Sequence, residues 1–217
     1  MAKVASVIGG TGLIGKELVE QLANNENYSV IKVFLRCRIE DWSEQTKIEQ
    51  IVTDFRDQTS LEDQILSDDL YICIGTTLKK AGSKINQQHI DLDLPLAIAE
   101  AAKRKQINQV AVVSSVGAAP KSASFYLNLK GKLEQGLKDL NFEYLVVVRP
   151  SVLLGKRNEF RFGEFVAGYL LQVTKFIPFL RKYQPIKGAQ VAKKMIELMN
   201  TNSSERTVII HSPELQN

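Results

Sequence analysis

The chain opens on a run of β-branched and apolar residues, Lys3 to Ile8, that stops at a pair of glycines. The period then changes. Leu13, Ile14, Leu18, Val19 and Leu22 recur at helical spacing, and Asn24 and Asn25 end the run. Ser29 to Leu35 and Lys47 to Thr53 read as a second and a third strand, and Asp57 to Leu66 as a short helix. Leu70 to Ile74 and Gln109 to Val113 are continuous apolar runs, as strands buried on both faces require. Between them the Ala-rich stretch Gln88 to Lys105 predicts a helix, with Pro95 either kinking it or marking a late start. Ser124 to Leu140 predicts another helix, with Leu129, Leu133, Leu137 and Leu140 on one side, and Glu143 to Val148 a strand.

Strands therefore alternate with helices as far as Arg149, which predicts an α/β chain built on a doubly wound, mostly parallel sheet. Beyond Pro150 the pattern is less regular. An amphipathic stretch from Phe162 to Val173 leads to a loop with Pro178 and Pro185, a helix from Ala189 to Met199 and a last strand from Thr207 to His211. We read one domain over residues 1–217, with a nucleotide-binding core over 1–150 and a small C-terminal cap over 151–217 folded onto the same sheet.

Composition narrows the classes. At 217 residues, with 44% hydrophobic and 24% charged, the chain can bury a sizeable core. The net charge of +4 is spread along the chain without basic runs interleaved with aromatics, so nucleic acid is not an expected partner. No apolar run approaches the roughly 20 residues that a membrane span needs. Cys37 and Cys73 each read as part of an apolar strand-like run and form no disulfide framework, and two histidines make a metal site unexpected. With no signal-peptide pattern at the start, a reducing cytoplasm is the expected location.

The candidate chemistry begins at Gly9-Gly10-Thr11-Gly12-Leu13-Ile14-Gly15. Glycine permits a tight turn and a close approach of backbone to pyrophosphate, and the helix that follows directs its N–H groups at phosphate charge. The loop sits directly between the first strand and the first helix, the context a Rossmann dinucleotide site requires. NAD binders place an acidic residue at the end of the second strand. Here that position reads Leu35-Arg36-Cys37-Arg38, and arginine suits a 2′-phosphate. NADP(H) is the expected cofactor and NAD(H) the less favoured one, with Glu40 and Asp41 a little later as the opposing signal. Asp54 and Phe55, after the third strand, would fit beside the adenine. Ile74, Gly75, Thr76 and Thr77, after the fourth, would pass along the cofactor.

Three Tyr-x-x-x-Lys pairs occur, and physics separates them. Tyr28 and Lys32 bracket the start of a strand, where residues four apart are roughly 13 Å apart. Tyr183 and Lys187 enclose Pro185, so no helix joins them. Tyr126 and Lys130 lie on a predicted helix, where residues four apart are neighbours. A nearby ammonium and an oxidised nicotinamide both favour a phenolate. Tyr126 could then exchange the proton of a carbonyl or alcohol oxygen, with Lys130 on the nicotinamide ribose. Ser115, or else Ser114, would steady the substrate oxygen, and Ser114 is also read as lining the cofactor. The bland alternative is a half-buried tyrosine and a surface lysine.

Together these residues resemble the short-chain dehydrogenase/reductase superfamily, in its extended and atypical members. More narrowly the chain is similar to the Tat-interacting-protein oxidoreductases and their bacterial relatives. The likeness is carried by residues 8–15, Ile74 to Thr77 with Lys80-Ala81-Gly82, Ser114 to Ala118, Tyr126 to Gly131, Arg149 to Gly155 and Arg157 to Glu164. It implies cofactor contacts at Thr11, Gly12, Leu13, Ile14, Arg36, Ile74, Gly75, Tyr126, Lys130, Leu153 and Arg161, and Tyr126 as proton donor or acceptor. One departure is that relatives often carry two adjacent arginines after the second strand. Here Cys37 separates Arg36 from Arg38, which turns the second guanidinium to the other side of a strand end.

The expected activity is NADP(H)-dependent oxidation or reduction of a small carbonyl or alcohol. A regulator that binds NADP(H) and a protein partner without turnover is the alternative, which the Ser/Tyr/Lys set disfavours. A sugar-nucleotide epimerase is a third option, for which the tail beyond Pro150 looks short. The helix bearing Tyr126 could mediate a homodimer.

Overall fold

The computed structural model describes residues 2–154, 184–201 and 203–215, without the side chains of 58–60. In chain order its elements are β1 (Lys3–Ile8), α1 (Leu13–Ala23), β2 (Tyr28–Leu35), β3 (Ile48–Val52), α2 (Gln58–Gln64), β4 (Asp69–Ile72), α3 (Leu78–Ala81) and α4 (Lys84–Gln88). A π-helical turn (His89–Asp93), α5 (Leu94–Arg104), β5 (Gln109–Val113), α6 (Phe125–Asp139), β6 (Tyr144–Arg149), β7 (Leu153–Leu154), β8 (Ile186–Lys187), α7 (Gly188–Met199) and β9 (Thr207–His211) follow.

Among the described residues the main sheet has seven strands in the order β3-β2-β1-β4-β5-β6-β9. Every neighbouring pair is parallel. The chain moves outward from β1 to β3, then crosses to the other side of β1 and continues from β4. The reversal opens a crevice at the carboxyl ends of β1 and β4, where open α/β sheets bind ligands. The doubly wound parallel sheet expected from the alternation is the fold observed.

Strand periodicity builds the two layers. Ala5, Val7, Tyr71, Cys73, Ala111, Val113, Val146 and Val148 face α1 and α7, packing on Leu18, Val19, Val191 and Met195. Their neighbours Ile8, Leu70, Ile72, Val110, Val112, Leu145 and Val147 face the other layer, with Ile98, Ala102, Leu129, Leu133 and Leu137. Burial on both faces is why these strands read as unbroken apolar runs.

Several expectations shift. The helix predicted over Gln88 to Lys105 begins earlier: Ser83 caps α4 by accepting the Asn86 N–H, and the helical path then passes through the π turn into α5, with Pro95 in its first turn. The short α3, capped by Thr77, went unread. Neither cysteine lies in a strand: Cys37 is exposed in the turn after β2, and Cys73 is buried just past the end of β4. Thr207 to His211 forms a strand as predicted, and it joins the main sheet beside β6. The amphipathic stretch Phe162 to Val173 lies outside the described residues.

At the amino-terminal end of the sheet a buried polar cluster replaces apolar packing. Asp69 is fully buried and accepts from the Tyr28 hydroxyl at 2.5 Å and from Lys3 Nζ at 3.1 Å; Tyr28 also meets the Tyr71 hydroxyl at 2.8 Å. Burial pushes the Asp69 carboxyl above the usual carboxylate range, against the pull of the Tyr28 hydroxyl and the Lys3 ammonium. A raised folded value means that neutral Asp69 favours the folded state, and this contribution fades as pH rises through that value. Asp69→Asn should therefore flatten the fall in stability above the ordinary carboxylate range. Asp69→Ala, which strips the cluster of its acceptor, should cost about 1–3 kcal/mol. Urea unfolding of both variants across that pH window checks this, and parallel curves for wild type and Asp69→Asn would refute it.

Candidate active site

The glycine loop closes on itself before it offers anything to a ligand. The Gly12 N–H donates to the Gly9 carbonyl at 3.0 Å, and the Lys16 N–H to Gly12 at 2.9 Å. Gly9 adopts φ +86°, and a Cβ there would stand 2.6 Å from the Ile74 nitrogen. The loop thus lies directly on the exit of β4. A Cβ on Gly15 would come within 2.1 Å of the Gly9 carbonyl oxygen, so only glycine lets the first turn of α1 nest in the loop. Gly12 caps α1 without any side-chain hydrogen bond. The first-turn amides of an α-helix have no acceptor within it. Those of Leu13, Ile14 and Gly15 therefore point their dipoles at the mouth of the crevice, as an anion requires.

Beside this loop, Arg36 and Arg38 are exposed at the end of β2, and neither pairs with a carboxylate among the described residues. Their turn is anchored at Ile39, whose N–H donates to Gln50 Oε1 at 2.7 Å and whose carbonyl accepts from Gln50 Nε2 at 2.9 Å. Asp41, one of the two carboxylates that argued for NAD, pairs instead with Lys16 at 3.4 Å. Asp54 is exposed at the end of β3, gripped by Arg56 at 2.7 Å, which holds its carboxyl down at about 2; Phe55 is half-buried next to it. A loop closed to side chains and an uncapped helix start fit the pyrophosphate of a dinucleotide.

The second half of the site lies where β4 and β5 end. Ile74, Gly75, Thr76 and Thr77 are half-buried, and the Thr76 N–H donates to Asp91 Oδ1 at 3.2 Å. Ser115 is buried, and its hydroxyl reaches the Val116 carbonyl only at 3.4 Å. Tyr126 is half-buried in the first turn of α6. Lys130, one turn on, is not the surface lysine of the bland alternative. It is 1% exposed, with Nζ at 3.4 Å from Asp91 Oδ1 and 3.4 Å from the Val113 carbonyl. The next residue, Gly131, lets α6 lie against the loop before it: a Cβ there would stand 2.1 Å from the Ala119 carbonyl carbon.

Ser114 differs from its neighbour. Its hydroxyl donates to Glu134 Oε1 at 2.5 Å, and Glu134 is also held by Arg149 through bonds of 2.9 and 2.5 Å. The Ser114 hydroxyl is therefore turned toward α6. Leu153, in β7, pairs with Ile186, while Arg161 lies outside the described residues. Two residues were missed from the sequence, Asp91 and Glu134. Both are buried carboxylates on helices, and no motif marks them.

The fold and crevice define a dinucleotide-binding α/β protein, and comparison with known proteins makes this specific. The model of a family described as NAD(P)H-binding matches residues 9–165, and the chain belongs to that family. It is 31% identical over 216 residues to "Protein FMP52, mitochondrial" of Eremothecium gossypii, covering 97% of this chain and 95% of that protein. The protein of the same name from Emericella nidulans is 35% identical over 174 residues, covering 78% of this chain and 74% of the relative. Among solved structures, MoeE5 in complex with UDP-glucuronic acid and NAD superposes with a TM-score of 0.72 at 13% identity, over 95% of this chain and 75% of that one. The UDP-Glc/GlcNAc 4-epimerase of Campylobacter jejuni gives 0.73 at 11% identity, over 99% and 81%. At such identities these two speak for the fold alone. The relatives' names overturn the cytoplasmic expectation: they are mitochondrial proteins by name. Location is set by targeting, which the fold-bearing pattern does not encode.

Proposed function

We propose that this protein is an NADP(H)-dependent oxidoreductase of the atypical short-chain dehydrogenase/reductase type, akin to the Tat-interacting-protein oxidoreductases. Its substrate would be a small carbonyl or alcohol. The observation that carries this is a lysine of α6 buried against Asp91 and the Val113 carbonyl at the carboxyl end of β5, beside Ser115, on the same edge of the parallel sheet as the glycine loop after β1. When bound, the cofactor supplies or accepts a hydride at the substrate carbon. In the reducing direction the Tyr126 hydroxyl gives its proton to the carbonyl oxygen, leaving an alcohol; oxidation runs the same transfer backwards. Ser115 holds the substrate oxygen, and the Lys130 ammonium binds the nicotinamide ribose. Arg36 meets the 2′-phosphate.

The test combines turnover with cofactor choice. Wild type should oxidise NADPH with some member of a panel of small aldehydes and ketones. Arg36→Glu should weaken NADPH by about 100-fold while moving NADH by no more than about threefold, because a charge-assisted contact becomes a repulsion only at the 2′-phosphate. Equal losses for both cofactors would refute the role of Arg36. Binding without turnover on any carbonyl would replace the enzyme by an NADP(H)-binding regulator.

A further inference from the structure

Beside the candidate site lies a fully buried carboxylate that the proposed chemistry does not use. Asp91 is 0% exposed, and its Oδ1 serves both the Lys130 ammonium at 3.4 Å and the Thr76 N–H at 3.2 Å. It joins the lysine of α6 to the loop that leaves β4. Packing does not explain such a pair, since burying two charges costs several kcal/mol each and apolar replacements are often no less stable.

The local backbone shows how Asp91 comes to be there. Pro95 has no N–H, and a proline ring crowds the carbonyl four residues before it, which here belongs to Asp91. The helix widens instead. The Leu94 N–H reaches back to the His89 carbonyl, and His89–Asp93 forms a π turn with Asp91 and Leu92 buried. Such turns are rare inside helices and gather at functional sites.

We propose that Asp91 is a positioning residue for cofactor use: it holds the Lys130 ammonium and the Thr76 amide together where the nicotinamide ribose is to be met. This rests on the assignment of Lys130 to that ribose. Asn at position 91 keeps an oxygen for the Thr76 N–H but loses the charge that holds Lys130. Ala loses both.

The experiment compares the full chain with Asp91→Asn and Asp91→Ala by three measurements. Reductive methylation of the folded protein, read by mass spectrometry, reports how free Lys130 is, with Lys193, whose side chain is 73% exposed, as internal reference. Calorimetry gives NADPH affinity, and steady-state kinetics gives kcat. In Asp91→Asn, Lys130 should be labelled about tenfold faster and kcat should fall by about tenfold or more, with NADPH affinity within about threefold of wild type. In Asp91→Ala the same changes should come with NADPH binding about tenfold weaker, the equivalent of one lost hydrogen bond. If neither variant folds, Asp91→Glu keeps the charge and carries the test: Lys130 should stay protected while kcat drops. Wild-type labelling of Lys130 together with unchanged NADPH affinity in Asp91→Asn and Asp91→Ala, or a freely labelled Lys130 in Asp91→Glu, would overturn the proposal. A wild type without turnover would sink the enzymatic assignment alone, since labelling and affinity still decide the role of Asp91.

Discussion

Tyr126→Phe is expected to lower kcat by about 10²–10⁴-fold, the usual worth of a positioned general acid or base. The substitution removes one oxygen from a half-buried side chain in the first turn of α6. The ring stays, so packing against the turn is kept. Lys130 keeps its contacts with Asp91 and Val113, and the glycine loop is untouched. NADPH affinity should therefore stay within about threefold of wild type, which sets a chemical loss apart from a binding loss. Ser115→Ala should lose less, because serine steadies an oxygen without moving its proton. A Tyr126→Phe enzyme with kcat within about fivefold of wild type would remove the tyrosine from the chemistry.

The other large effect lies in the loop. Gly15→Ala forces a Cβ to within 2.1 Å of the Gly9 carbonyl oxygen and 2.8 Å of its carbon, which is backbone meeting backbone. No side chain can swing away, so either α1 or the loop must move. Both NADPH affinity and stability should fall, the first by about 100-fold or more and the second by about 2–4 kcal/mol. Gly12→Ala differs. Its Cβ would sit 3.3 Å from the same oxygen, a contact that a small adjustment relieves. The folded protein should tolerate it within about 1 kcal/mol. The pyrophosphate should not, because the added methyl stands where backbone must approach phosphate. Isothermal titration and urea unfolding of the two variants separate the cases. A Gly12→Ala protein that binds NADPH as wild type does would mean that phosphate does not lie on this turn.

What could be read from the chain follows the range of the forces involved. β1, the glycine loop and α1 were legible because each is set by neighbours in sequence: a β-branched run, a turn only glycine can make, and a helical stripe at Ile14, Leu18 and Leu22. The doubly wound parallel sheet also followed, because alternation of buried strands and helices leaves few other arrangements. The helix through Pro95 was legible only in part. A proline forbids one hydrogen bond but does not say whether the helix stops, kinks or widens. Here it widens, and Asp91, the partner of the buried Lys130, lies on the turn that results. Asp91 could not be read for the same reason: its partner is on another helix. Ser114 and Ser115 are adjacent in sequence and alike in type. Only Glu134 and Arg149, brought in by α6 and β6, turn one hydroxyl away from its neighbour's surroundings. Cys37 sits two residues past the end of a strand whose apolar run continues almost to it, so its exposure was not visible from periodicity. Arg36 and Arg38 were visible, because counting to the end of β2 is enough to place them.

Everything assigned to this site presumes that the crevice between β1 and β4 takes a phosphorylated pyridine dinucleotide. Isothermal titration of the wild-type protein with NADPH and with NADH tests that directly. NADPH is expected to bind saturably and one to one in the micromolar range, at least about tenfold tighter than NADH. No heat from either dinucleotide at millimolar concentration would contradict it, and NADH binding tighter than NADPH would contradict the role given to Arg36.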